Sequence, residues 1–227
     1  AIALKSRRAG VEVIGVEAEE IAAMKAALTS NERVTVAAAA AIADGIAVRR
    51  VGELTLPLAR RWLDQVVTVS EEEIANAILL LLEIEKTVVE GAGAVPLAAL
   101  VNKKVALTGK TVARGLSGGN IDVNLISRII ERGLVKDGRL VRLAVMLRDR
   151  PGELARLTAL VAEMRANVLH ILHDRPFSRA RLGQTEVEVT LETSGRDQID
   201  AMKRHLAEAG YAVYEIVRRA APSPPGS

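Results

Sequence analysis

Short runs of β-branched and aliphatic residues alternate with helical stretches through the first part of the chain, and this alternation constrains the fold more than any other feature. Residues 11–17 read V-E-V-I-G-V-E, a pattern apolar enough for a buried strand, and residues 19–28 follow as a helix. Strand followed by helix is the rhythm of a parallel sheet with helices on both faces. Asp44-Gly45 ends an alanine-rich helix and opens an extended stretch over 46–51, residues 53–63 are helical, and Val66-Val67-Thr68-Val69 is a second strand. Ser70-Glu71-Glu72-Glu73 then supplies a capping box, in which the Ser70 hydroxyl accepts from the Glu73 amide while the Glu73 carboxylate accepts from the Ser70 amide. A long helix is expected from there. Its neighbour over 88–101 is interrupted by Gly91 and Gly93, whose missing Cβ atoms permit close approach of another backbone or a ligand. Residues 111–116 return to the sheet and end in Leu116-Ser117-Gly118-Gly119-Asn120-Ile121-Asp122, at the strand edge where open α/β sheets bind ligands. A helix over 122–132 follows, capped at Asn120 or Asp122, and residues 133–139 connect it to what comes next, with the linker at 136–139.

Beyond that linker the rhythm changes. Strands at 139–147, 167–173, 185–193 and 211–217 and helices at 152–165 and 197–209 give a βαββαβ order, with 174–183 as the central hairpin. That order describes a ferredoxin-like small domain. The expected organisation is an α/β domain over 1–135, the linker at 136–139, the small domain over 140–219 and a disordered Pro/Ser/Gly tail over 220–227.

Composition removes several function classes. The chain has no cysteine, which excludes disulfides, thiolate catalysis and zinc-thiolate sites and makes a reducing cytoplasm the expected home. His170, His173 and His205 are too few and too poorly spaced for an imidazole metal site. The only aromatics are Trp62, Phe177, Tyr211 and Tyr214, too few for stacking on nucleobases, and the 31 basic residues are interleaved with 28 acidic ones, so no nucleic-acid partner is expected. The most apolar run, residues 78–82, is far too short to span a bilayer, and no membrane partner is expected. Residues 1–8 read as the last turns of an amphipathic helix with no initiator methionine, as in a fragment or a processed product.

The turn at 116–122 is where chemistry concentrates. Its adjacent glycines let a flat or anionic ligand meet the backbone, and Ser117 offers one neutral donor, although a loop needing only backbone freedom would read the same way.

Four segments in order, I-A-D-G-I-A-V (42–48), V-V-T-V-S-E-E-E-I (66–74), V-V-E-G-A-G-A (88–94) and L-S-G-G-N-I-D (116–122), resemble the second half of the threonine dehydratases. These are pyridoxal-phosphate (PLP) enzymes of the tryptophan-synthase-β fold type, fold type II, also called threonine ammonia-lyases. The resemblance covers residues 1–135, and Asp149-Arg150-Pro151-Gly152-Glu153-Leu154 followed by Ala166-Asn167-Val168 extends it by resembling the amino-acid-sensing ACT module. It implies PLP as cofactor, with Ser117 bonded to the pyridine nitrogen and Gly118 beside it. Gly45 and the backbone of Asp44 would form the wall near the phenolic oxygen, and Glu90 would approach from the helical side. A neutral hydroxyl does not hold a full proton on the ring nitrogen, which makes the ring a weaker electron sink, suited to β-elimination. For an effector, Asp149, Gly152, Glu153, Leu154, Asn167 and Val168 are the implied contacts. Some relatives place a cation ligand where Glu17 stands, but Ala22 and Ala23 occupy the positions a second carboxylate would need, so no metal is expected. Arg175, Arg179 and Arg181 read as a solvated loop. The family's Schiff-base lysine and phosphate loop lie upstream of Ala1, so this chain is expected to hold no catalytic residue and to be inactive by itself. The implied activity is conversion of L-threonine to 2-oxobutanoate and ammonia, in amino-acid metabolism such as isoleucine biosynthesis. The amino-acid substrate and effector would be its small-molecule partners, and a homo-oligomer, dimer or tetramer, its assembly. The alternatives are a non-enzymatic amino-acid-sensing ACT protein and a related serine or hydroxyaspartate dehydratase.

Overall fold

A computed structural model describes residues 1–173 and 180–216. Most of the expected hairpin at 174–183, with Arg175, Phe177 and Arg179, lies outside the described residues, as do Val217 and the tail at 220–227. The chain forms two compact units, Ala1–Ile130 and a second that begins at Glu131.

In the first unit, β1 (Ile14–Ala18) pairs in parallel with β2 (Gln65–Val69), Ile14 opposite Gln65 and Ala18 opposite Val69. The register is fixed at its start by Asp64, whose carboxylate accepts the Val13 amide at 2.6 Å and the Lys5 ammonium of α1 (Ile2–Arg7) at 2.6 Å. The hydrogen bond from Lys5, and after it that from Val13, holds the Asp64 carboxyl below the ordinary carboxylate range. The path from β1 to β2 passes through a 3-10 turn (Glu19–Ile21), α2 (Ala23–Ser30), an irregular stretch and α3 (Thr55–Trp62). After β2 comes α4 (Glu71–Leu80), prolonged by a π-helical turn (Leu81–Glu85), and then α5 (Gly91–Val101) and α6 (Val123–Lys136).

The core of this unit is aliphatic. Val67 and Val69 of β2, Ile74, Ala77 and Ile78 of α4, Ala94, Val95 and Ala98 of α5 and Ile129 of α6 are buried together. α5 reads G-A-G-A-V-P-L-A-A-L-V, apolar on every side, as a helix enclosed by neighbours must be. α4 begins at Ser70 with both halves of the expected capping box formed.

Four expectations need correction. Residues 37–41 form no helix; a run of five alanines is too short to offset the cost of helix nucleation, and the chain there leads instead from a bridge between Thr35 and Arg50. The helix expected over 19–28 is split by Ala22, beyond which Glu17 caps α2. Residues 111–116 do not join the sheet, since β1 and β2 pair only with each other; Arg114 interrupts the apolar run, and its Nη1 is buried with no hydrogen-bond partner among the described residues. Gly133 lies inside α6, not in a connecting segment; a single helical glycine costs only about 1 kcal/mol.

The second unit has the βαββαβ order. Central β3 (Leu140–Arg148) is flanked antiparallel by β5 (Gln184–Glu192) and β6 (Ala212–Glu215), and β4 (Asn167–Leu172) lies outside β5. The spatial order β4-β5-β3-β6 is that of a ferredoxin-like sheet. Leu143, Val145 and Leu147 alternate inward along β3 to meet Leu157 and Val161 of α7 (Glu153–Glu163) and Ile199, Met202 and Leu206 of α8 (Arg196–Glu208).

Ser70→Ala removes the acceptor for the Glu73 amide and is expected to cost about 1 kcal/mol, read as a lower urea midpoint for the first unit at unchanged m-value.

Candidate functional site

Three segments far apart in sequence meet at the N-terminus of α5. Glu90, the N-cap, donates its backbone N–H to the Gly118 carbonyl at 3.1 Å, and its side chain caps nothing. Gly91 must lack a side chain because the Ile42 carbonyl and the Ala43 nitrogen occupy the space a Cβ would take. At Gly93 the obstacle is the Ser117 carbonyl. Gly118 has φ +81°, and a Cβ there would overlap the Glu90 carboxylate. A Cβ on Gly45 would stand 3.4 Å from the Ala92 Cβ and 3.7 Å from Glu90 Oε1. Residues 42–45, 90–93 and 117–119 thus gather around one carboxylate, bringing together Gly45, Glu90, Ser117 and Gly118.

The polar groups at this junction are not consumed by the fold. Ser117 is exposed and its hydroxyl makes no hydrogen bond among the described residues. Half-buried Glu90 makes no side-chain hydrogen bond or ion pair among them either. Asp44 caps no turn with its side chain; its carbonyl accepts from Ala47 at 3.0 Å. The junction adjoins the carboxyl end of β2, because Glu71, two residues beyond that strand, accepts the Ile42 N–H at 2.6 Å. A neutral donor, a carboxylate and glycine-lined backbone suit a flat ring that carries an acceptor nitrogen.

Glu17 does other work. Its two oxygens accept the amides of Met24 and Lys25, each at 2.8 Å, capping α2 across a gap in sequence. Among the described residues no group of His, Asp and Glu is arranged to hold a metal. Five lysines of the first unit are engaged away from the junction: Lys5 with Asp64, Lys25 with Thr68, Lys86 with the Glu83 carbonyl, Lys104 with Glu73 and Lys110 with Glu12. A cavity of about 420 Å³ beside α1 and α3 is lined by Ala1, Ile2, Ala3, Leu58, Ala59, Trp62 and Leu63 and presents no acid-base side chain. No helix among the described residues is long and apolar enough to cross a membrane.

In the second unit, Asp149, Gly152, Glu153 and Leu154 line a cavity of about 160 Å³ together with Arg148, Arg150, His173 and Thr185. Gly152, at φ +91°, turns the chain into α7 and offers no side-chain cap to its first amides. Glu153 lies 3.3 Å from the Arg150 guanidinium and accepts from the Tyr211 hydroxyl at 3.2 Å, while His173 and Thr185 bond at 3.2 Å. Asn167 and Val168 are not at the cavity; they pair with Glu192 and Leu191 of β5, and Asn167 Nδ2 donates to Glu192. Thr185 and His173 were missed by sequence reasoning. The signal for Thr185 is register, since it stands opposite Leu147 at the end of β3.

Glycine-lined loops at the carboxyl edge of parallel strands, around an unused hydroxyl and carboxylate, define a cofactor-binding class of α/β protein. The chain belongs to the pyridoxal-phosphate dependent enzymes, the family description that matches residues 1–118. It is 46% identical over 212 residues to an L-threonine ammonia-lyase of Thermotoga maritima, covering 93% of this chain and 53% of that protein. An L-threonine ammonia-lyase of Geobacter sulfurreducens is 48% identical over 214 residues, 94% of this chain and 53% of the relative. The chain therefore spans about half the length of these curated relatives, and the likeness continues through the second unit. Among solved structures, the processed form of threonine deaminase isoform 2 from Solanum lycopersicum superposes with a TM-score of 0.52 at 27% identity, over 56% of this chain and 36% of that one. The family is PLP-dependent, and at this junction the Ser117 hydroxyl is exposed while Gly118 lets the Glu90 carboxylate lie against the backbone.

Two outcomes follow from these contacts. Gly93→Ala forces the Ser117 carbonyl away from α5 and is expected to cost about 1–3 kcal/mol by chemical denaturation. Burial, and after it the hydrogen bond to Glu153, pushes the Tyr211 hydroxyl above 10.0. The folded state therefore favours the neutral phenol, so this stabilisation is complete below the ordinary value and is lost as pH rises through the higher folded one. Ultraviolet titration of the two tyrosines should show one late transition that Tyr211→Phe abolishes.

Proposed function

We propose that the complete enzyme containing these residues is a PLP-dependent threonine ammonia-lyase, converting L-threonine to 2-oxobutanoate and ammonia, and that this chain carries the pyridine-nitrogen half of its site. The observation that carries the reading is the gathering of Gly45, Glu90, Ser117 and Gly118 at the head of α5, in a chain matched over 93% of its length by an L-threonine ammonia-lyase. Bound PLP supplies the electron sink that acidifies the substrate's α-carbon. Ser117 Oγ would donate a neutral hydrogen bond to the ring nitrogen, and a hydroxyl, unlike a carboxylate, would not hold a full proton there, which suits loss of the β-hydroxyl over transamination. Gly118, bare at Cα, lets the Glu90 carboxylate lie beside Ser117. The backbone of Asp44 and Gly45 would wall the ring near its phenolic oxygen, and Glu90 would offer a carboxylate at its edge. No lysine stands in these three segments, so the group that holds the cofactor and moves the α-proton comes from outside them.

The second unit, on this reading, is an ACT module. An amino-acid effector places its carboxylate at the open amides of α7, near Arg148 and Arg150, and biases catalysis through assembly of a homo-oligomer. A second reading, a non-enzymatic amino-acid sensor, is favoured by one observation: the second unit has its own polar cavity, while the first brings no lysine to its junction.

The complete enzyme should show PLP absorbance and form 2-oxobutanoate from L-threonine, whereas the 227-residue chain alone should form none. Ser117→Ala should lower turnover by about 10- to 100-fold, the worth of one strong hydrogen bond, and weaken PLP retention. A complete enzyme with neither PLP absorbance nor oxoacid production leaves the sensor reading in place; unchanged turnover in Ser117→Ala removes Ser117 from the site.

A further inference from the structure

The acidic triplet after β2 divides its labour. Glu73 closes the capping box, accepting the Ser70 amide at 2.8 Å, and pairs with Lys104 at 2.8 Å. Glu72 is exposed. Glu71 does neither: it reaches 29 residues back along the sequence to accept the Ile42 N–H with Oε2 at 2.6 Å. Its other oxygen, Oε1, is buried with no hydrogen-bond partner among the described residues. Because Ser70 and Glu73 already satisfy the start of α4, the fold of that helix does not require Glu71.

What Glu71 holds is the segment that walls the candidate site. The Ile42 peptide is gripped on both sides, its N–H by Glu71 and its carbonyl by the bare Cα of Gly91. Ala43, next in line, is fully buried, and two residues further Gly45 stands beside Ala92 and Glu90. A half-buried charge-assisted hydrogen bond of this kind is short and directional, so it fixes depth as well as position. We propose that Glu71 is a positioning residue of the cofactor site: through Ile42 it sets the height of residues 42–45 against Glu90 and Gly118. This rests on the PLP reading above for what the wall contacts, and on the structure alone for what Glu71 holds.

The test separates the two. Amide exchange is followed in the full chain and cofactor fluorescence in the complete PLP-loaded enzyme, for Glu71→Ala, Glu71→Gln and the neighbouring control Glu72→Ala. Glu71→Ala should speed exchange at residues 42–46 by about tenfold or more, as loss of one charge-assisted hydrogen bond would, with β1, β2 and α5 unchanged. Glu71→Gln, which keeps an acceptor oxygen, should restore most of the protection, and Glu72→Ala should change nothing. In the loaded enzyme Glu71→Ala should shift the cofactor emission and lower kcat more than it raises KM, with Glu71→Gln again intermediate. Unchanged exchange at residues 42–46, loosening spread over the whole first unit, or a Gln variant no better than Ala overturns the proposal. Local loosening with an unaltered cofactor spectrum overturns the link to the site. A complete enzyme that binds no PLP overturns the functional reading instead, and exchange still decides whether Glu71 holds the segment.

Discussion

The first turn of α5 has almost no side chains, and the organisation of the first unit depends on that. With hydrogen at Gly91 and Gly93, two backbone segments can lie directly on the helix, one at the Ile42 carbonyl and the other at the Ser117 carbonyl. A methyl group at either position would push a segment outward by more than the packing tolerates. The same turn carries Glu90 as its N-cap, joined to Gly118 through the backbone. Helix start, loop position and polar group are therefore one construction.

Carboxylates do the rest of the fastening. Asp64 takes the Val13 amide, Glu17 the start of α2, Glu71 the Ile42 amide, Glu73 the Ser70 amide and Asp122 the amide of Asn124 at the head of α6. Each fixes a segment end that the strand ladder leaves unpaired, through a bond stronger than one between neutral groups. In this unit these bonds pin individual peptides beside the pairing of β1 with β2.

Much of this was legible in the sequence where the signal was local. The capping box at Ser70 and Glu73, the strand at 66–69, the βαββαβ order and the glycine positions all follow from short-range chemistry, and Gly45, Glu90, Ser117 and Gly118 do come together. The failures are non-local. Alanine propensity at 37–41 suggested a helix, but the chain there is shaped by contacts made on either side of it. Residues 111–116 have strand-like composition and no strand beside them. The capping role of Glu17 was hidden because its partners, at Met24 and Lys25, are backbone amides, which no sequence pattern advertises. Thr185 came to its cavity through register opposite Leu147, a fact known only once the strands are paired.

Ser117 is a hydroxyl where an acid or a base could have stood. Hydroxyls of this kind neither gain nor lose a proton across the range in which proteins work, so the electrical character of that corner stays constant. A ring docked against it would meet the same dipole in acid and in mild base. Any pH response of such a site would have to originate elsewhere, and the Ser117 end would serve as its fixed reference.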